Sequence, residues 1–236
     1  MSGVVQRLHS AGGLTSPPPL TLDGERLFEA NNLKKAVVDS RLEPYPMLVA
    51  QGLLPESAKA RIVADFPRYH RSGFFPMEAA ECGPSVIAAV NSVIHPAFAD
   101  TLGQYLGVEN LSRFPTLVTL RKWSKLSDGR IHNDGRAKVV TALLYLNETW
   151  PDSSAGCFRF LTSPDSFENM AVPEIKPLYG YFAAFRRTEN SWHGHPPYKG
   201  ERRVIQVAWL VNKDELERKQ KRGRFTRFVK SLLDWR

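Results

Sequence analysis

The chain changes character near Phe114, and that change limits what it can fold into. Beyond it come PTLVTLRKW (115–123), AKVVTALLYLN (137–147), GCFRFL (156–161), YGYFAAF (179–185) and RRVIQVAWLV (202–211). All are short and rich in β-branched and aromatic residues. Turn-forming sequences separate them, namely SDG (127–129), TSPDS (162–166) and PPYKG (196–200). Short strands punctuated by turns predict an antiparallel sandwich or barrel. The preceding stretch, 25–110, reads mainly helical. LPESAKARIVADF (54–66), PSVIAAVNSVI (84–94) and PAFADTLGQYLG (96–107) carry proline and acidic residues where helices begin, and the last stops at a glycine. YPMLVAQ (45–51) has the look of a short strand. Helices first and strands later predict one α+β domain over 25–212, with 25–110 as helical support for a β core at 111–212.

The two ends differ from this body. Residues 1–24 include three consecutive prolines and read as a loose, extended arm. Residues 213–236 carry nine Lys or Arg against four Asp or Glu, so most of the chain's formal +8 charge sits there. Phe225, Phe228, Val229, Leu232 and Leu233 form one stripe of a helix, with Arg224, Arg227 and Lys230 off it. Such a basic amphipathic helix suits packing on the protein's own core, a homodimer interface or an anionic membrane surface. Two cysteines are too few for a disulfide framework, and no run of 18 apolar residues is present. A cytoplasmic location, peripheral at the membrane if the tail binds lipid, is the expectation. The positive surplus suggests an anionic partner without naming it.

The chemistry concentrates at His132-Asn133-Asp134. In extended backbone, residues two apart project to one face, so His132 and Asp134 can hold one metal ion. Taken alone, the pair also describes a surface histidine beside a solvated aspartate. A second cluster, Ser191-Trp192-His193-Gly194-His195, can supply a third ligand. Two histidines and a carboxylate bind one face of Fe(II) and leave the other positions open. Arg203 adds a separate signal. As a strand, 202–211 places Arg203, Ile205, Val207 and Trp209 on one bulky apolar face and Arg202, Val204, Gln206 and Ala208 on the other. The first face is expected to point inward and Arg202 outward. An inward guanidinium needs an anion, because an unpaired buried charge is costly. A snorkelling Arg203, or one paired with a protein carboxylate, is the alternative.

These motifs, in order, resemble the 2-oxoglutarate and Fe(II)-dependent dioxygenases. The signature is H-x-D, a distal His about sixty residues on, and an Arg ten residues after that. RIHND, GRAKVVTALLYLN, AG-C-FRFL, YGYFAAF and SWHG…P…G…RR extend the likeness to the prolyl-hydroxylase-like branch over roughly 115–211. The resemblance implies a double-stranded β-helix (jelly-roll) core with supporting N-terminal helices. It implies His132, Asp134 and His193 as iron ligands, Arg203 on the distal carboxylate of 2-oxoglutarate, and Tyr145 bonded to that same carboxylate. It implies Fe(II), with 2-oxoglutarate and O2 as cosubstrates, and allows ascorbate as a supporting reductant. The reaction implied is hydroxylation of an unactivated C–H in a peptidyl, amino-acid or other small or conjugated substrate, with succinate and CO2 released.

This sequence departs from the family at Trp123, with Lys122 beside it, where a Tyr is common before H-x-D. An indole offers only a donor. His195 also lies two residues from His193, and as a loop residue it is a candidate substrate contact. Two other readings stay open. One is a cupin-type site built from His193, His195 and Glu201. The other is a catalytically silent binding protein on the same scaffold. The strand after Arg203 lacks the further Arg and Asn residues usual in nucleic-acid demethylases, so nucleic acid has no specific support.

Overall fold

A computed structural model describes residues 24–232, with side chains as far as Arg222. The proline-rich arm, apart from Gly24, and the tail stripe at Phe225, Phe228, Val229, Leu232 and Leu233 lie outside the described residues or side chains. In chain order come α1 (Ala30–Ala36), β1 (Val37–Arg41), β2 (Met47–Ala50), α2 (Lys59–Asp65) and β3 (Phe75–Pro76). Then follow α3 (Pro84–Ile94), α4 (Pro96–Leu106), β4 (Thr116–Ser124) and β5 (Lys138–Tyr145). The chain ends with β6 (Arg159–Phe160), β7 (Phe182–Arg186), β8 (His193–Gly194), β9 (Gly200–Leu210) and α5 (Lys213–Leu232).

Seven strands form one antiparallel sheet in the order β1-β2-β7-β5-β9-β4-β3. A smaller layer, β6 with β8, faces it. Isolated bridges extend that layer through His132↔His193, Phe158↔Ile175 and Leu161↔Met170. The period-2 alternation of each strand divides the core in two. Leu48, Ala142, Leu144, Phe182, Ala184, Ile205, Val207 and Trp209 pack against the helices. Met47, Val49, Leu143, Tyr145, Phe185 and Val204 face the smaller layer, where Phe158 and Phe160 meet them. Helices thus cover one face of the large sheet, and the other face forms the inside of a double-stranded β-helix.

The expected helices α3 and α4 start at Pro84 and Pro96, and α4 ends at Gly107, which is left-handed at φ 65°. All of α3 from Ser85 to Val93 is buried, which accounts for its apolar composition. Among the described residues no single helix is long and apolar enough to cross a membrane. The expected strand at 45–51 is β2, but the region 25–110 is less helical than expected because it also gives β1 and β3, and the three extend both sides of the large sheet. β1 (VVDSR) is an edge strand with mostly exposed side chains, so its sequence carries no apolar alternation. β2 is buried along its whole length, between the helices and the smaller layer. The described part of α5 packs on β3, β4 and β9.

Strand β9 overturns one expectation. Its bulky face, Ile205, Val207 and Trp209, is the one against the helices. Its polar face carries Arg202 and Gln206 to the interior of the β-helix. Arg202 is 2% exposed, whereas Arg203 turns to the other side and pairs with Glu201 at 2.7 Å.

Candidate metal centre

The turn at 125–128 delivers the chain to His132, whose backbone exchanges two 3.0 Å hydrogen bonds with His193. Residues 61 apart in sequence thereby stand opposite each other, their rings 4.3 Å apart. Asp134, two residues on, joins the same side. One ligand atom from each of His132, Asp134 and His193 lies within 4.8 Å of the others. His195 and Glu201 are not in this group, so the cupin-type set is not assembled among the described residues.

Each imidazole is oriented by a carbonyl. His132 Nδ1 lies 2.8 Å from the Arg130 carbonyl, and His193 Nδ1 lies 2.8 Å from that of Ser191. A carbonyl can only accept, so both Nδ1 atoms donate and each Nε2 keeps its lone pair for a metal. Burial pushes His193 down to about 4, although Asp134 opposes this. The ring is therefore neutral at physiological pH, as a ligand must be. Burial alone would raise the Asp134 carboxyl. Lys138 and His193 beside it, with hydrogen bonds from Lys138 (2.7 Å) and Thr141 (2.6 Å), hold it well below the usual carboxylate range instead. Asn133, on the opposite side of the strand, donates to the Thr188 and Glu189 carbonyls and accepts from Ser191 Oγ. It thus pins the turn whose Ser191 carbonyl aims His193.

These groups open on a cavity of about 290 Å³ between the two sheets. Phe74, Leu143, Phe158 and Phe185 are its apolar walls, and Gln206 and Arg202 come from β9. Arg202 donates from Nε to the Gly156 carbonyl at 3.0 Å and from Nη2 to Tyr145 Oη at 3.5 Å. It has no acidic partner among the described residues. Burial raises Tyr145 to about 12, so it stays a neutral phenol with its own O–H free to donate. His195 also lines the cavity, buried, and burial followed by the charge of Arg202 holds it far below its usual value. Trp123 does not reach the cavity, since its indole donates to the Tyr69 carbonyl at 2.6 Å. The residue of β4 that lines the cavity is Arg121. Arg121, Lys138, Thr141 and Gln206 escaped the sequence reading. Their signal was available as polar residues inside buried strands.

Gly156 holds this end in place. Its φ is +74°, and an added Cβ would stand 2.8 Å from Trp150 Cζ2 and 2.9 Å from Tyr198. Gly156→Ala is expected to destabilise the fold by about 1–3 kcal/mol, from left-handed strain and overpacking together. It is also expected to loosen Arg202, whose Nε rests on the Gly156 carbonyl. A melting temperature equal to that of the parent protein, with unchanged 2-oxoglutarate binding, would contradict both effects.

The family model of the 2OG-Fe(II) oxygenase superfamily matches residues 122–211, the stretch that supplies the three donors and Arg202. Residues 122–211 are a 2OG-Fe(II) oxygenase domain. The cofactors of this oxygenase are therefore Fe(II), 2-oxoglutarate and O2. The donor set fits the metal, with two neutral imidazoles and an ionised carboxylate. The acid-free Arg202 fits a dicarboxylate. Among solved structures, the chain is similar to a Pseudomonas putida prolyl-4-hydroxylase at 17% identity and TM-score 0.46, covering 85% of this chain and 99% of that one. It is also similar to a Trichoplax adhaerens prolyl hydroxylase in complex with a hypoxia inducible factor oxygen degradation domain peptide fragment. That likeness has 15% identity and TM-score 0.47 and covers 72% of this chain and 86% of that one. No curated protein matches the chain.

Proposed function

We propose that this dioxygenase is a hydroxylase of an unactivated C–H bond, with His132, Asp134 and His193 as its iron ligands and Arg202 as its anchor for the distal carboxylate of 2-oxoglutarate. The observation that carries this is the pairing, in one cavity, of three convergent donors with a buried guanidinium that has no acidic partner. When bound, Fe(II) and 2-oxoglutarate supply the activation of O2, with release of succinate and CO2 and one oxygen atom left for the substrate.

The chain's own residues do the positioning. The Arg130 and Ser191 carbonyls fix both ring orientations, and Thr141 and Lys138 keep Asp134 ionised. Arg202 and the Tyr145 hydroxyl grip the far carboxylate, which fixes the tilt of the cosubstrate. Phe74, Leu143, Phe158 and Phe185 exclude water from the cavity. The substrate class is a peptidyl, amino-acid or small conjugated molecule that fits the remaining space.

The test is anaerobic addition of Fe(II) and 2-oxoglutarate to the purified protein, following the weak visible metal-to-ligand charge-transfer band. The expected result is a saturable band, followed on admission of O2 by succinate formation that a substrate screen can accelerate. Neither band nor succinate at any cosubstrate concentration would overturn the proposal.

A further inference from the structure

The cavity holds a cation for which the scheme above has no use. Arg121 lines it from β4 and is only 9% exposed. Val204 of β9 stands opposite Arg121 on one side and opposite Tyr145 of β5 on the other. Arg202 is the next residue of that face along β9. Arg121, Tyr145 and Arg202 therefore surround one point on the inner face of the sheet.

Arg121 is poorly paired for so buried a charge. Its guanidinium carbon sits 4.3 Å from the centre of the Phe74 ring, which fixes the plane of the group. Its acidic contact is Asp128, at 3.7 Å, beyond hydrogen-bond distance. That same carboxylate oxygen already accepts from the Lys125 N–H at 3.2 Å. Arg121 Nε is buried with no hydrogen-bond partner among the described residues. Burial, and then the charge of Arg202, pull the Arg121 guanidinium down to about 10. Two guanidinia near one another in a desolvated cavity are costly unless an anion lies between them.

We propose that Arg121 is a second guanidinium for the distal carboxylate of 2-oxoglutarate, closing on it from β4 while Arg202 holds it from β9. This rests on the dioxygenase reading above. It makes Arg121 a residue that selects for a dicarboxylate over a simple 2-oxo acid.

The test separates that contact from general damage. The Fe(II)-loaded protein is titrated anaerobically with 2-oxoglutarate and, separately, with 2-oxopentanoate, which keeps the chelating end but lacks the distal carboxylate. In Arg121→Met, binding of 2-oxoglutarate is expected to weaken about tenfold or more, the scale of a lost charge-assisted hydrogen bond. Binding of 2-oxopentanoate is expected to change by less than about twofold, since the chelating end does not touch Arg121. Arg121→Lys should restore part of the preference, and Arg121→Gln supplies the comparison if the Met variant does not fold. Equal weakening of both ligands, or unchanged 2-oxoglutarate binding, overturns the proposal while the dioxygenase reading stands. Absence of the band in the unsubstituted protein overturns both.

Discussion

Arg202→Ala is expected to raise the dissociation constant for 2-oxoglutarate about 30-fold or more, while Arg203→Ala leaves it within about threefold. The size follows from burial. Truncating one partner of a buried, hydrogen-bonded charge pair typically costs about 2–5 kcal/mol, and about 1.4 kcal/mol is a factor of ten in affinity. Arg202 is 2% exposed and is held by Gly156 and Tyr145 inside the cavity. Arg203 sits on the opposite side of β9 in a largely buried pair with Glu201, away from the cavity, so its loss bears on stability and not directly on a ligand it does not touch. Anaerobic titration of the charge-transfer band measures both constants, and melting curves check that both variants are folded. The reverse ranking, with Arg203→Ala losing affinity and Arg202→Ala keeping it, would sink the assignment.

That contrast also marks where the sequence could be read and where it could not. The convergence of His132, Asp134 and His193 was partly legible because the first two share one extended segment. His193 was chosen on its ten-residue step to Arg203, but the arginine that reaches the cavity is Arg202, nine residues on. Helices α3 and α4 were legible because Pro84, Pro96 and Gly107 mark their ends. The face of β9 was misread for a physical reason. A strand covered on both sides has two inward faces, and the bulkier one belongs to the helix-packed core. The face lining a polar cavity must instead carry the polar residues, here Arg202 and Gln206. Strand β1 escaped because an exposed edge strand has no apolar period to detect. Arg121 escaped because RKW offers three candidates in a row, and a bulge between Arg121 and Trp123 decides which of them faces the cavity.

Replacing the carboxylate ligand should have the largest effect of all. Asp134→Ala is expected to abolish the charge-transfer band at Fe(II) concentrations that saturate the parent protein, and His195→Ala is expected to retain it. Losing a residue that only orients a ligand costs about 10–100-fold in metal affinity, so losing one of three ligands should exceed that range. The Asp134 site is also built around a charge. Lys138 and Thr141 both donate to the carboxylate, and removing it leaves the Lys138 ammonium beside two imidazoles with nothing to neutralise it. That stranded cation repels Fe(II) in addition to the missing bond. Asp134→Asn separates the two contributions, because it keeps the shape and one acceptor but not the charge. Metal binding in Asp134→Asn should fall less than in Asp134→Ala if the lost bond dominates, and equally if charge dominates. Iron binding that survives Asp134→Ala but disappears in His195→Ala would point to the His193, His195 and Glu201 set and would refute the triad. The geometry speaks against that outcome, because His195 Nδ1 already engages the Pro196 carbonyl at 2.9 Å and Glu201 is drawn to Arg203.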